Sequence, residues 1–181
     1  PGKNIRPFMG IPLIVHSILF ANMCPEIDRC IVSTDSDEIA LLAKRYGGDV
    51  PFIRPPELAL DDTPMRPVLK HALDTIESAE ECHYDFVLLL DPTSPTRSPE
   101  DVAESLAKLM VNVSADGVIS VSEPDFNPIW HCVVEQDGWM SDLMPQGSQF
   151  ERRQEVPQVF RINGLVYIWR ADYLRMPGLS W

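Results

Sequence analysis

The segment Leu88-Leu89-Leu90-Asp91-Pro92-Thr93-Ser94-Pro95-Thr96-Arg97 sends an apolar run straight into an acid, hydroxyls, two prolines and an arginine. In open α/β sheets the carboxyl ends of strands are where ligands bind, and prolines stiffen the backbone there. An ionised aspartate only accepts hydrogen bonds, so Asp91 suits hydroxyl donors or a hard cation such as magnesium. The same segment can also be read as strand, turn and helix cap with no chemistry of its own. Further along, Arg153 and Arg161 flank Pro157 just before a last strand, with Asn163 and Tyr167 following. Guanidinium forks hold carboxylates through two parallel bonds, although pairing with Glu151 and Glu155 is the alternative use. At the start, Lys3 sets a mobile point charge beside the amide of Asn4. Arg54 follows a short strand and offers planar donors suited to the acceptor atoms of a ligand.

Alternating helix and strand patterns with short connections place these groups on an α/β fold with a mainly parallel sheet. Leu13 to Met23 reads as a mostly buried helix, and Asp28 to Thr34 as a strand. A helix capped by Asp35 or Ser36 runs to Tyr46 and stops at Gly47-Gly48. Val50 to Ile53 is a short strand, and Thr63-Pro64 starts a helix with proline at its first position. Strand Phe86 to Leu90 precedes a helix opened by Ser98-Pro99-Glu100-Asp101 and ending near Val111. After strand Gly117 to Val121 the alternation fails. Residues 123–160 form an excursion rich in Pro, Gly and Trp, with a hairpin expected about Asp137-Gly138. Phe126, Trp130 and Trp139 suit either a partner surface or a lid over the core.

With 15 Lys and Arg against 27 Asp and Glu, a formal charge of −12 argues against nucleic acid or anionic membrane as partner. Any anionic ligand must be held by local cations. Cys24, Cys30, Cys82 and Cys132 make no zinc pattern and read as reduced thiols. The four histidines share no metal spacing. No signal peptide and no long apolar run is found, which favours the cytoplasm. Phosphate-loop, nucleophile-elbow and dinucleotide fingerprints are absent.

Pro1-Gly2-Lys3-Asn4, Arg54-Pro55-Pro56-Glu57-Leu58-Ala59-Leu60-Asp61, the Asp91 segment and Arg152 to Ile168 together resemble the acylneuraminate cytidylyltransferase family. Its patterns are PxKN, RPxELAxD, LLxPTSPxR and RRQxxPxxFRxNGxxYI, matched here in order from Pro1 to about Tyr173. The resemblance implies a Rossmann-like nucleotidyltransferase fold and transfer of CMP from CTP to a nonulosonic (sialic-type) acid, with magnesium as cofactor. It implies Lys3 at the α-phosphate, Asn4 and Arg54 on the nucleotide, and Arg153, Arg161, Asn163 and Tyr167 toward the sugar acid, with Thr93 expected at the sugar's variable end. Asp91, by its own chemistry, is expected as a magnesium ligand or as an acceptor for the sugar's hydroxyls. A homodimer built through residues 123–160 is implied too. Two departures stand out. Asp91 replaces a glutamine found in many members, and Asp61-Asp62-Thr63-Pro64-Met65 replaces an Asp-Thr-Ala-Ser-Ser run, so serine contacts to ribose do not carry over. The family's first strand with its glycine-serine-lysine loop, and its later D-x-D pair, are expected to be missing from a single domain, 1–181, cut at both ends. A CMP-Kdo synthetase type is the rival within the class, although that type has Gln-Gly-Asp-Glu-Pro at the strand end. A catalytically silent nucleotide or sugar-acid binding module is the rival outside it.

Overall fold

The computed structural model describes residues 2–145 and 147–177 and opens on a 3-10 turn, Lys3–Ile5. Strands β1 (Pro7–Phe8) and β2 (Ile11–Pro12) then pair antiparallel about Met9 and Gly10, whose φ angles of 50° and 89° are those a two-residue hairpin needs. This small hairpin is not foreseen in the sequence, where two-residue strands containing proline carry almost no pattern. His16 Nε2 lies 2.9 Å from the Phe8 carbonyl oxygen and ties the hairpin to the next helix.

Helix α1 (Leu13–Met23) has no continuous polar stripe, because both core clusters close on it. Val15 and Ile18 pack with Val32, Ala43 and Val50, whereas Phe20 joins Leu109, Val166 and Ile168. Full burial of one such large side chain stabilises by about 1.5–3 kcal/mol, so loss of α1 would open both clusters. Helix α2 (Asp37–Arg45) starts where expected, with Ser36 Oγ accepting from the Ile39 N–H at 3.3 Å. It ends at Gly47, whose φ of 80° is left-handed, and a Cβ on Gly48 would stand 2.8 Å from Ile18 Cδ1.

The expected strands at 28–34 and 50–53 are extended segments without a ladder. Val32 N–H donates to the Asp49 carbonyl at 2.7 Å and Arg54 N–H to the Thr34 carbonyl at 2.8 Å, so the two run in the same direction. Helix α3 (Met65–Glu80) buries Val68, Leu73 and Ile76, with Pro64 as its cap rather than its first helical residue.

Strand β3 (Phe86–Leu89), helix α4 (Pro99–Val111), strand β4 (Gly117–Ser122), strand β7 (Arg161–Arg170) and helix α6 (Ala171–Arg175) complete this part, with sheet order β3-β7-β4. Helix α4 carries the full reciprocal cap, Ser98 Oγ accepting from Asp101 N–H and Asp101 Oδ2 from Ser98 N–H. The expectation of a mainly parallel sheet is corrected here. Strand β3 pairs antiparallel with β7, Leu89 opposite Tyr167 and Phe86 opposite Arg170. The physical reason is strand order: β7 returns from far along the chain and slots between β3 and β4, which the local helix–strand alternation would have made neighbours.

The chain divides into two compact units, Pro1–Ile119 with Gly164–Trp181, and Ser120–Asn163. The second holds helix α5 (Pro128–His131) and an antiparallel hairpin of β5 (Val133–Gln136) with β6 (Trp139–Asp142). Its turn is Asp137-Gly138, both at positive φ, 54° and 81°. No helix among the described residues is long and apolar enough to cross a membrane.

Glu77, in the last turn of α3, is a polar anchor of α6, as is Arg66, which donates to the Tyr173 carbonyl at 2.9 Å. Glu77 Oε1 accepts from the Tyr84 N–H at 2.8 Å and from Arg175 Nη2 at 2.5 Å. Burial pushes its carboxyl upward, but the Tyr84 N–H and the Arg175 guanidinium outweigh this and hold it below the ordinary 4.5. A carboxylate depressed by folding stabilises above its unfolded pKa, and that stability is lost as pH falls through the folded value. Glu77→Gln is therefore expected to cost about 1–2 kcal/mol at neutral pH. The gap to the parent should close as pH falls below 4.5. Urea melts at neutral and acid pH check this, and a gap independent of pH contradicts it.

Candidate active site

Strand β3 delivers the Asp91 loop, and the loop shapes itself first. Asp91 Oδ1 accepts from the Thr93 N–H at 2.8 Å and from Thr93 Oγ1 at 2.7 Å, while the Ser94 N–H donates to the Asp91 carbonyl at 3.1 Å. These bonds leave Asp91 Oδ2 outside the turn and spend the Thr93 hydroxyl proton on Asp91. Thr93 thus supports Asp91 more directly than it could meet a ligand.

The loop is then fastened to β7. Gly164 has a φ of 76°, and a Cβ there would stand 3.1 Å from Ser94 Oγ, so only glycine fits both the backbone and the close approach. Arg97 is buried and donates through Nε to the Leu165 carbonyl at 2.9 Å, through Nη2 to the Asp91 carbonyl at 2.7 Å, and through Nη1 to Ser17 Oγ at 3.1 Å. Burial pushes its guanidinium below the usual arginine range, and the Asp91 charge offsets part of that. Tyr167, half-buried on β7, stacks on Trp169 with ring centroids 5.7 Å apart. Asp91, Thr93 and Tyr167 are in this way brought to one end of the β3–β7 pair.

Lys3 is exposed in the opening turn, and Asn4 beside it is half-buried with an Oδ1 that is buried and has no hydrogen-bond partner among the described residues. A buried acceptor without a donor is costly, and a ligand donor would satisfy it. Arg54 is half-buried. Its Nε donates to Ser33 Oγ at 3.1 Å and its Nη2 to the Ser33 carbonyl, which leaves Nη1 outside both bonds. Burial pushes this guanidinium down as well, with Asp35 acting against it. Among the described residues no hydrogen bond or ion pair joins Lys3, Arg54 and Asp91 to one another.

Arg153, Arg161 and Asn163 belong to the second unit. Both arginines are exposed, and among the described residues neither pairs with Glu151 or Glu155. The segment between them is pinned: Asn127 Nδ2 donates to the Pro157 carbonyl at 2.9 Å, and Gln158 Nε2 to Glu123 Oε1 at 3.1 Å. Asn127 Oδ1 meanwhile caps α5 through the Ile129 N–H at 3.0 Å. Asn163 Oδ1 accepts from Ser120 Oγ at 2.6 Å.

Magnesium is a test of the donor set. Among the described residues no three His, Cys, Asp or Glu side chains cluster as a metal cage. A single carboxylate oxygen, Asp91 Oδ2, nevertheless fits an ion that takes one or two protein carboxylates and completes its shell with phosphate oxygens and water. Ser17 and Ser33 are supporting residues that the sequence does not single out, and Ser94 and Arg97, although part of the Asp91 segment, carry no separate role there. A serine within the apolar run of α1 and an arginine two residues after a proline turn were the available signals.

Comparison with known proteins supplies the family. A family profile described as Cytidylyltransferase matches residues 1–164. Post-translational flagellin modification protein B of Campylobacter coli is 33% identical over 172 residues, which is 95% of this chain and 72% of that protein. CMP-N,N'-diacetyllegionaminic acid synthase of Legionella pneumophila is 33% identical over 177 residues, 96% of this chain and 73% of its own length. A solved CMP:2-keto-3-deoxy-manno-octonic acid synthetase complexed with CTP superposes with a TM-score of 0.69 at 18% identity, covering 97% of this chain and 70% of that one, a likeness of fold. With the Asp91 loop locked onto β7 at Gly164 and the profile running through the loop as far as residue 164, the chain belongs to the cytidylyltransferase family.

Proposed function

We propose that the protein transfers CMP from CTP to the anomeric hydroxyl of a nonulosonic acid and releases pyrophosphate. One observation carries this reading: the chain is similar over 96% of its length to a protein named CMP-N,N'-diacetyllegionaminic acid synthase. The arrangement of polar groups supports it. An in-line displacement at phosphorus asks the protein for positioning and charge stabilisation. Lys3 supplies a mobile cation for the α-phosphate, where negative charge grows as pyrophosphate leaves. Asn4 offers its unpartnered oxygen to a nucleotide donor, and Arg54 its remaining edge to the base. Arg161, helped by Arg153, grips the carboxylate beside the anomeric carbon as a planar fork. Asp91 Oδ2 orients the sugar hydroxyl, with Asn163 and Tyr167 as further polar contacts. Magnesium held by Asp91 Oδ2 would neutralise phosphate charge and make the sugar hydroxyl more acidic.

The second unit supports a homodimer. Val133, Trp139 and Met140 of its hairpin are exposed, Trp139 by 79%, and a second copy is the occupant we infer. Four free cysteines fit a reducing compartment, the cytoplasm.

Pyrophosphate release by the full-length protein, with CTP, magnesium and a panel of N,N'-diacetyllegionaminic, pseudaminic, N-acetylneuraminic and Kdo acids, tests the reading. Release with one nine-carbon acid and with CTP over UTP is the expected outcome. Release with Kdo alone moves the assignment to the CMP-Kdo class, and CTP binding with no release on any acid moves it to a binding module.

A further inference from the structure

Ser17, Thr34 and Arg97 are the polar or charged side chains that are buried among the described residues, and two of them bond to each other. Arg97 is 7% exposed, lies over the Phe20 ring at 5.6 Å, and makes no ion pair among the described residues. Burying a cation without a paired carboxylate is expensive, so the position needs a reason. The reason is in what it joins. Five N–H donors in a rigid plane reach helix α1 through Ser17, strand β7 through Leu165 and the site loop through Asp91.

The loop needs such an anchor. The bonds from Thr93 and Ser94 to Asp91 are local, within three residues, and give the turn its shape without fixing it to the rest of the fold. Regular pairing of β3 with β7 ends at Leu89 opposite Tyr167. Beyond that point Arg97 holds the Asp91 carbonyl, and the closed turn then fixes the direction of the carboxylate.

We propose that Arg97 is a positioning residue for the reaction, setting where Asp91 stands relative to β7 without touching substrate itself. The inference rests on the reading of Asp91 above. Its test compares Arg97→Lys, Ser17→Ala and Asp91→Asn, singly and combined, in steady-state kinetics with the best acid of the panel. Lysine keeps the charge and loses the fork. Arg97→Lys should lower kcat/KM for the sugar acid roughly thirtyfold while KM for CTP moves by less than about twofold. Ser17→Ala, which removes one of the three acceptors, should show the same split at about three- to fivefold, and it carries the test if Arg97→Lys does not fold. The double variant Asp91→Asn/Arg97→Lys should be no more than about twofold slower than Asp91→Asn, because both act through one carboxylate. Strictly additive losses, or equal losses for CTP and sugar acid, would overturn the positioning role while leaving Asp91 in the site. Near-normal turnover by Asp91→Asn would remove both.

Discussion

Asp91→Asn is expected to lower kcat by about two to three orders of magnitude at saturating magnesium, with KM for CTP nearly unchanged. The substitution is a clean one in this loop. An asparagine Oδ1 can still accept from the Thr93 N–H and Oγ1, the two bonds that close the turn around Asp91. What changes is the other end, where a charged acceptor becomes an amide donor. A loss of turnover would therefore report on the charge at Oδ2 and not on a collapsed loop. The thermal melt should stay close to that of the parent. Near-normal rates would exclude Asp91 both as metal ligand and as partner of the sugar hydroxyl.

Arg161→Ala is the second large effect. Arg161 is exposed and makes no ion pair among the described residues, so its removal should leave stability within about 0.5 kcal/mol. Any loss of activity then reflects ligand binding. A two-toothed guanidinium–carboxylate contact that is present in the transition state is worth roughly a hundredfold to a thousandfold in kcat/KM. That loss should fall on the sugar acid and not on CTP. Arg161→Lys should recover little, because an ammonium cannot present the two parallel donors. Arg153→Ala, four residues before the pinned Pro157-Gln158 pair, should show a smaller loss of the same kind. Equal weakening toward CTP and sugar acid would assign Arg161 to phosphate instead.

What the sequence makes readable is local. Ser36, Gly47 and Ser98-Pro99 mark helix ends because a cap or a left-handed glycine acts within four residues, and the structure uses all three. Asp137-Gly138 marks the hairpin for the same reason. Strand order is not local. Nothing near Phe86 or Gly117 tells that β7 will lie between them, so alternation reads as a parallel sheet where the structure has an antiparallel pair. Arg97 is a second case: its acceptors at Leu165 and Ser17 lie 68 and 80 positions away, so the segment around it gives no sign of what it joins. Lys3, Arg54 and Asp91 are candidates from residue type and from the family patterns around them. Their support by Ser33, Thr93, Ser94 and Gly164 required the fold.

The most direct measurement follows the phosphorus that is transferred. CTP labelled at its α-phosphate is incubated with the full-length protein, magnesium and the panel of acids, and the products are separated. The label should appear in one CMP–sugar acid, in amounts equal to the pyrophosphate formed, and Arg161→Ala should slow that transfer by roughly a hundredfold or more while CTP still binds. Label that stays in CTP with every acid, or that leaves as free CMP without a sugar product, would contradict cytidylyl transfer to a nonulosonic acid.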